Sequence, residues 1–170
     1  ILEDLGCEVV YFSPLEDEEL PKDISGLYLC GGYPELYTEE LSKNRKLCDE
    51  IKDIIERGIP TIAECGGFMY LHDSIEEIPM VGFIKGNCIK TDKLQRFGYI
   101  EIKALQDNLL CNEGDSIRVH EFHYYDSENC GEAFMAKKAS NGLEYLCCHG
   151  SDSLYAGFPH IYLPANPDFA

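Results

Sequence analysis

Between two short apolar runs, residues 26–30 (GLYLC) and 61–63 (TIA), the side chains Leu47, Ile51, Ile54 and Ile55 recur at i, i+4, i+7 and i+8. That spacing puts all four on one face of a helix, and Gly58 and Pro60 stop it before the second run begins. Strand, helix, strand in that order implies parallel pairing and a sheet covered by helices. An earlier run, residues 7–12 (CEVVYF), reads as a further buried strand. The second half changes character. NCIKTD, RFGYIEIKAL, IRVHEFHYY, AFMAKK and LEYLCC are strand-like and separated by turn signals such as Glu113-Gly114-Asp115 and Asn141-Gly142. The expected fold is α/β, a mostly parallel sheet flanked by helices with an antiparallel β extension.

With 170 residues, 45% of them hydrophobic, the chain has enough material for one core, so a single domain over 1–170 is expected. It has no internal repeat and no low-complexity linker. No apolar run approaches the ~18 residues of a membrane span, and the first residues lack the basic start of a secretory signal. Nine cysteines without a CxxC pair give little support to zinc or to a disulfide framework. Mostly buried, reduced thiols in a cytoplasmic protein are expected. The net charge of −17 argues against nucleic acid and anionic membranes as partners. Its short acidic clusters, LEDEEL and SIEEI, read as solvated surface, or as a face for a basic partner.

The segment IPTIAECGGFMYL, residues 59–71, places Cys65 between a strand and a Gly-Gly pair that opens a helix. This is the layout of a nucleophile elbow. A helix N-terminus aimed at the sulfur favours thiolate, and the Gly66 N–H is placed to hold an oxyanion. A buried structural cysteine is the competing reading. In LYLCGGYPELY, residues 27–37, a strand runs into Gly31-Gly32, which either offers a second oxyanion N–H or is an ordinary glycine turn. No GxxxxGK[ST] phosphate loop occurs anywhere in the sequence.

A thiol nucleophile needs an imidazole, usually from a distant segment. Of the five histidines, His160 follows a short strand and a Gly-Phe-Pro turn, and so stands at a strand's exit. His72 is two helical turns past Cys65 and should point elsewhere. His149 follows Cys147-Cys148, but neighbours on a strand face opposite sides, so no metal site is expected there. VHEFHYY, residues 119–125, is not the metalloprotease HExxH. Alternation puts Glu121 and His123 on one face of its strand and His120 and Phe122 on the other, which suits either a structural polar network or a substrate-binding strand.

GLYLCGGYPELY, IPTIAECGGFMYL, LQRFGYIEI and RVHEFHYY resemble, in order and spacing, the C-terminal glutaminase domain of cobyrinic acid a,c-diamide synthases, of class I glutamine amidotransferase-like fold. The Gly-Gly-Tyr-Pro-Glu form separates the chain from the sister cobyric acid synthases. The resemblance implies a role in cobalamin biosynthesis: Cys65 attacks the carboxamide of glutamine, the Gly32 and Gly66 amides hold the oxyanion, and His160 serves as acid and base through a thioester. Glu121 and His123, on the VHEFHYY strand, are expected to line the glutamine pocket or the face towards the synthetase domain, a structural network being the alternative. The resemblance further implies a partner, an N-terminal synthetase domain that uses ATP and Mg²⁺ and is absent from this N-terminally truncated sequence, so this chain itself is expected to need no cofactor. A sister branch acts on nickel sirohydrochlorin, and a non-catalytic docking module of the same fold is a further alternative. Related glutaminases often carry His-x-Glu; here that position is Tyr162, so His160 is expected to be oriented by a backbone or hydroxyl group and not by a carboxylate.

Overall fold

In the computed structural model, which describes residues 1–166 and 169, β1 (Leu27–Leu29) leads through a 3-10 turn (Pro34–Leu36), α1 (Thr38–Lys43) and α2 (Arg45–Glu56) into β2 (Thr61–Glu64). β1 and β2 pair in parallel, with Leu27 opposite Thr61 and Leu29 opposite Ala63. α2 buries Leu47, Ile51, Ile54 and Ile55 together with Cys48, as the spacing predicts. Gly58 ends it in the left-handed region, φ +83°, which costs a glycine no Cβ clash.

After β2 come α3 (Gly66–Tyr70), β3 (His72–Ile75), β4 (Ile78–Pro79), β5 (Ile84–Lys90), β6 (Arg96–Ala104) and β7 (Ser116–His123). β8 (Tyr125–Ser127), β9 (Phe134–Lys138), β10 (Glu144–Cys147), β11 (His149–Ser151), β12 (Leu154–Gly157) and β13 (His160–Ile161) complete the strands. They form three sheets, in the orders β1-β2-β12-β11, β10-β9-β6-β7-β13 and β4-β3-β5-β8. The α/β class therefore holds, with a parallel core of three strands, β1, β2 and β12, and an antiparallel extension larger than that core.

β12 joins the two parts. It lies parallel to β2, with Gly157 opposite Glu64, and it is buried along its whole length. Leu154 and Ala156 belong to the core beneath α2 and α3, whereas Tyr155 packs into the core of the antiparallel sheet with Phe134 and Ile102. Strands buried on both faces read as continuous apolar runs, which accounts for LYAG. β6 and β7 instead alternate buried and exposed residues, one face on the core and one towards solvent. Past Gly157 the chain leaves the first sheet, and β13 pairs antiparallel with β7, His160 opposite His120.

Residues 7–12 do not form the expected strand. They make no ladder, Tyr11 is 91% exposed, and only Phe12 reaches the core. β-propensity counts only where a pleated neighbour is available to pair with. The cysteines also differ from expectation. All nine are free, but only Cys48, Cys88, Cys147 and Cys148 are buried. Among the described residues no helix is long and apolar enough to cross a membrane.

Candidate active site

β2 ends at Glu64, and Cys65 adopts φ +49° and ψ −104° before α3 begins. Such a backbone is strained for a residue with a Cβ and persists only when its surroundings hold it. Here the Cys65 N–H donates to Gly157 O at 2.8 Å and the Cys65 carbonyl accepts from Met69 N–H at 2.9 Å, so strand and helix both grip the turn. The glycines that follow answer to packing. A Cβ on Gly66 would stand 2.5 Å from Gly32 O and 2.7 Å from Gly32 N, and one on Gly67 would strike the Leu29 carbonyl. The Gly66 and Gly32 backbones therefore lie in contact, at the residue next in sequence to Cys65. The steric need differs from the sequence reading at one point: a Cβ on Gly32 meets nothing within 4 Å, whereas one on Gly31 would lie 2.6 Å from Cε1 of His160.

His160 thus rests on the Gly31 backbone, beside the strand end that carries Cys65. A carboxylate does lie near it, although not within hydrogen-bond distance. Glu64 Oε2 lies 3.9 Å from His160 Nδ1, and Glu64 is only 5% exposed. Glu64 also accepts from Tyr28 O–H at 2.8 Å and from Ile161 N–H at 2.7 Å. The thiolate expectation is corrected. Burial pushes the Cys65 thiol up to about 11; the Gly66 amide opposes this, and Glu35, Glu64 and Glu121 push it further. A helix of five residues supplies too little positive end to offset desolvation.

The other histidines are held elsewhere. His72 is buried between the Phe68 carbonyl and the Ser127 hydroxyl, at 2.9 and 2.7 Å, and His149 Nε2 bonds the Asn129 carbonyl at 3.0 Å. The two faces of β7 divide as the alternation predicts. Inside, His123 Nδ1–H donates to Tyr125 O at 2.6 Å, and its ring stacks on Phe158 at 3.9 Å. His123 Nε2 is buried without a hydrogen-bond partner, 3.9 Å from Glu121 Oε1, while Glu121 Oε2 accepts from Tyr145 O–H. Outside, Phe97, Tyr99, His120, Phe122 and Tyr124 form a row of edge-on rings with centroids 5.2 to 5.9 Å apart, Tyr99 being 74% exposed.

Residues 1–167 match the profile of the CobB/CobQ-like glutamine amidotransferase domain. The chain belongs to that family. It is 46% identical over 177 residues to the cobyrinate a,c-diamide synthase of Clostridium tetani, covering 99% of this chain and 40% of that protein. With the synthase of the same name from Caldanaerobacter subterraneus subsp. tengcongensis the identity is 38% over 169 residues, 95% of this chain and 37% of that one. The chain therefore spans about two-fifths of the length of these relatives. Among solved structures, the PurLQS structure from Thermotoga maritima superposes with a TM-score of 0.58 at 21% identity, covering 86% of this chain and 72% of the other. A protein described as a GMP synthase component from Thermoplasma acidophilum gives 0.57 at 20%, covering 94% and 74%. These last two establish a shared fold, that of class I glutamine amidotransferases. In this CobB/CobQ-like domain the backbones of Gly32 and Gly66 lie in contact and the His160 ring lies against Gly31, while Glu64, the carboxylate nearest His160, was not among the sequence candidates. The one local signal for Glu64 was an acid where the apolar strand β2 meets the elbow.

Proposed function

We propose that this chain hydrolyses glutamine, with Cys65 as nucleophile and His160 as acid and base. The observation that carries the reading is the His160 imidazole resting on Gly31 beside the Cys65 turn, with the Gly32 and Gly66 backbones in contact there. Because its thiol is pushed up to about 11, Cys65 rests protonated near neutral pH. Attack therefore requires His160 to take the sulfur's proton as the C–S bond forms. The carbonyl oxygen becomes an oxyanion towards the two amides. Collapse breaks the C–N bond, His160 returns the proton to nitrogen, and ammonia leaves a thioester. Water then adds to the thioester carbon, giving its proton to His160, which passes it to the departing sulfur; glutamate and the thiol result. Glu121 and His123 lie on the inner face of β7, opposite the face that His120 shares with His160, where they form a buried polar pair with Tyr145 and suit the structural network better than the substrate pocket.

The ammonia serves the a,c-diamidation of cobyrinate, a reading supported by the relatives' names and by their greater length. Activating a carboxylate takes ATP and Mg²⁺, and no Gly-Lys-Ser/Thr phosphate loop exists in this sequence, so that step belongs to a synthetase half. The aromatic row on β6 and β7 is the face on which that half docks. It is apolar and unpartnered among the described residues. It also shares a face with His160, since His160 stands directly opposite His120. Nine free thiols suit a reducing, cytoplasmic setting. The test is glutamate release from glutamine by the chain and by Cys65→Ala and His160→Ala. Loss in both variants, with a glutamine chloroketone alkylating Cys65 in the wild type, is the expected result. Dominant labelling at Cys147 or Cys148, or hydrolysis persisting in either variant, overturns it.

A further inference from the structure

Glu64 is a carboxylate almost wholly removed from solvent, and a buried charge is tolerated only where partners replace its water. Two of its partners are neutral donors, Tyr28 O–H and Ile161 N–H. Among the described residues its one partner able to carry positive charge is His160, 3.9 Å away from Oε2 to Nδ1. The neutral donors are informative in themselves. Ile161 directly follows His160, so Oε1 fixes the backbone of β13 at the residue beside the imidazole. Tyr28 lies on β1, three residues before Gly31, the residue on which the His160 ring rests. One carboxylate thus ties together the strand end that carries the nucleophile, the strand that carries the imidazole, and the strand leading to the loop beneath it.

We propose that Glu64 is the positioning residue for His160, filling from the nucleophile's own strand the role that related glutaminases give to an acid two residues past the histidine. The proposal rests on the reading of Cys65 and His160 as the catalytic pair. A separation of 3.9 Å is longer than a hydrogen bond. The proposal requires the ring to move closer so that Nδ1–H reaches Oε2, as catalytic contacts commonly tighten when substrate binds. Held that way, Nε2 is the free lone pair, the nitrogen available to take the sulfur's proton, and the imidazolium that results faces a negative partner. Position 162 is then released from that duty, which is why an exposed tyrosine occupies it. The same carboxylate disfavours a bare thiolate at Cys65. Burial is the main reason that the proton stays on sulfur, and Glu64 adds to it.

The test uses this chain with ¹⁵N-labelled histidine, and Glu64→Gln beside Cys65→Ala and His160→Ala. In the wild type, the neutral His160 ring is expected as the Nδ1–H tautomer, with His160→Ala assigning its signals. Glu64→Gln is expected to shift those signals towards a mixture of tautomers. It should also lower kcat for glutamate release by about 10- to 100-fold, less than the ~10²- to 10⁴-fold of losing the acid–base group itself, with KM changed less than about twofold. A residue that only stabilised the fold would lower the melting temperature and leave the tautomer unmoved. If Cys65→Ala and His160→Ala abolish hydrolysis while Glu64→Gln keeps kcat within twofold and the tautomer unchanged, the positioning role is wrong and the catalytic pair stands. If either alanine variant still hydrolyses glutamine, the pair itself falls. Should Glu64→Gln fail to fold, the wild-type spectrum decides alone, because an Nε2–H tautomer there rules the proposal out.

Discussion

Cys65 is pulled in two directions by its own backbone: the elbow presents the sulfur to the Gly66 amide, and the same turn buries it among three carboxylates, Glu35, Glu64 and Glu121. Desolvation wins, so the resting group is a thiol. It follows that alkylation of Cys65 by iodoacetamide, in the absence of glutamine, keeps rising with pH past the ordinary thiol range near ~8.5. It should level only around the value of about 11 to which burial pushes the group. The sign is that of an acid whose charged form is disfavoured: a larger fraction stays protonated, and unreactive, at every pH below that value. Peptide mass spectrometry of Cys65 against pH checks this, and a plateau near neutrality would show a preformed thiolate. The sequence made Cys65 legible because a nucleophile elbow is a local pattern, with strand, small residues and helix inside one window. Glu64 was not legible. Its burial and its link to Ile161, 97 positions away, arise only once β12 lies against β2 and the chain turns into β13.

At the scale of elements, the strand–turn–helix junction and the loop after β1 are one packing unit, and its glycines are not equivalent. A methyl on Gly66 meets backbone atoms of Gly32, which cannot swing aside, so Gly66→Ala is expected to lose about 1–3 kcal/mol of stability, the usual scale for overpacking. On Gly31 a methyl meets a side chain instead, the His160 ring, which is 38% exposed and free to turn outward. Gly31→Ala should therefore leave the urea midpoint nearly unchanged and cut glutamate release at least tenfold. Gly32→Ala, with open space around its Cβ, should do little to either. Urea unfolding and glutamate release on the three variants check the order, and a Gly31→Ala chain that hydrolyses normally would detach His160 from its seat. The periodic helix α2 and the alternating strands β6 and β7 were legible because each carries its own apolar face. Residues 7–12 misled because β-branched and aromatic residues look alike whether or not a neighbouring strand is there to pair with.

For the whole molecule, the charge of −17 and the solvent-facing aromatic row have to be reconciled. A strongly acidic chain repels its own copies, which disfavours pairing of the exposed apolar face with itself and fits the proposal that the row docks a different surface. The half that supplies activated carboxylates fits it, since ammonia is of use only where it meets such a carboxylate before water carries it away. The chain alone is then expected to release glutamate and to make no amide. Amide formation from a carboxylate needs an activated acyl group, normally made by phosphoryl transfer from ATP with a phosphate-gripping loop and Mg²⁺ ligands. No glycine-rich loop ending in Gly-Lys-Ser/Thr is present, and no group of three or more metal-ligating side chains occurs among the described residues. The measurement incubates the chain with ATP, Mg²⁺, ammonium and cobyrinic acid and looks for the diamide by mass spectrometry. No product is expected until the synthetase half of a relative is added. With glutamine in place of ammonium, Phe122→Asp, which puts a charge in the middle of the row, should then weaken amidation several-fold while glutamate release by the isolated chain stays as it was. Diamide from the chain alone would reveal an ATP site within these 170 residues, and unimpaired amidation by Phe122→Asp would move the docking face away from β6 and β7.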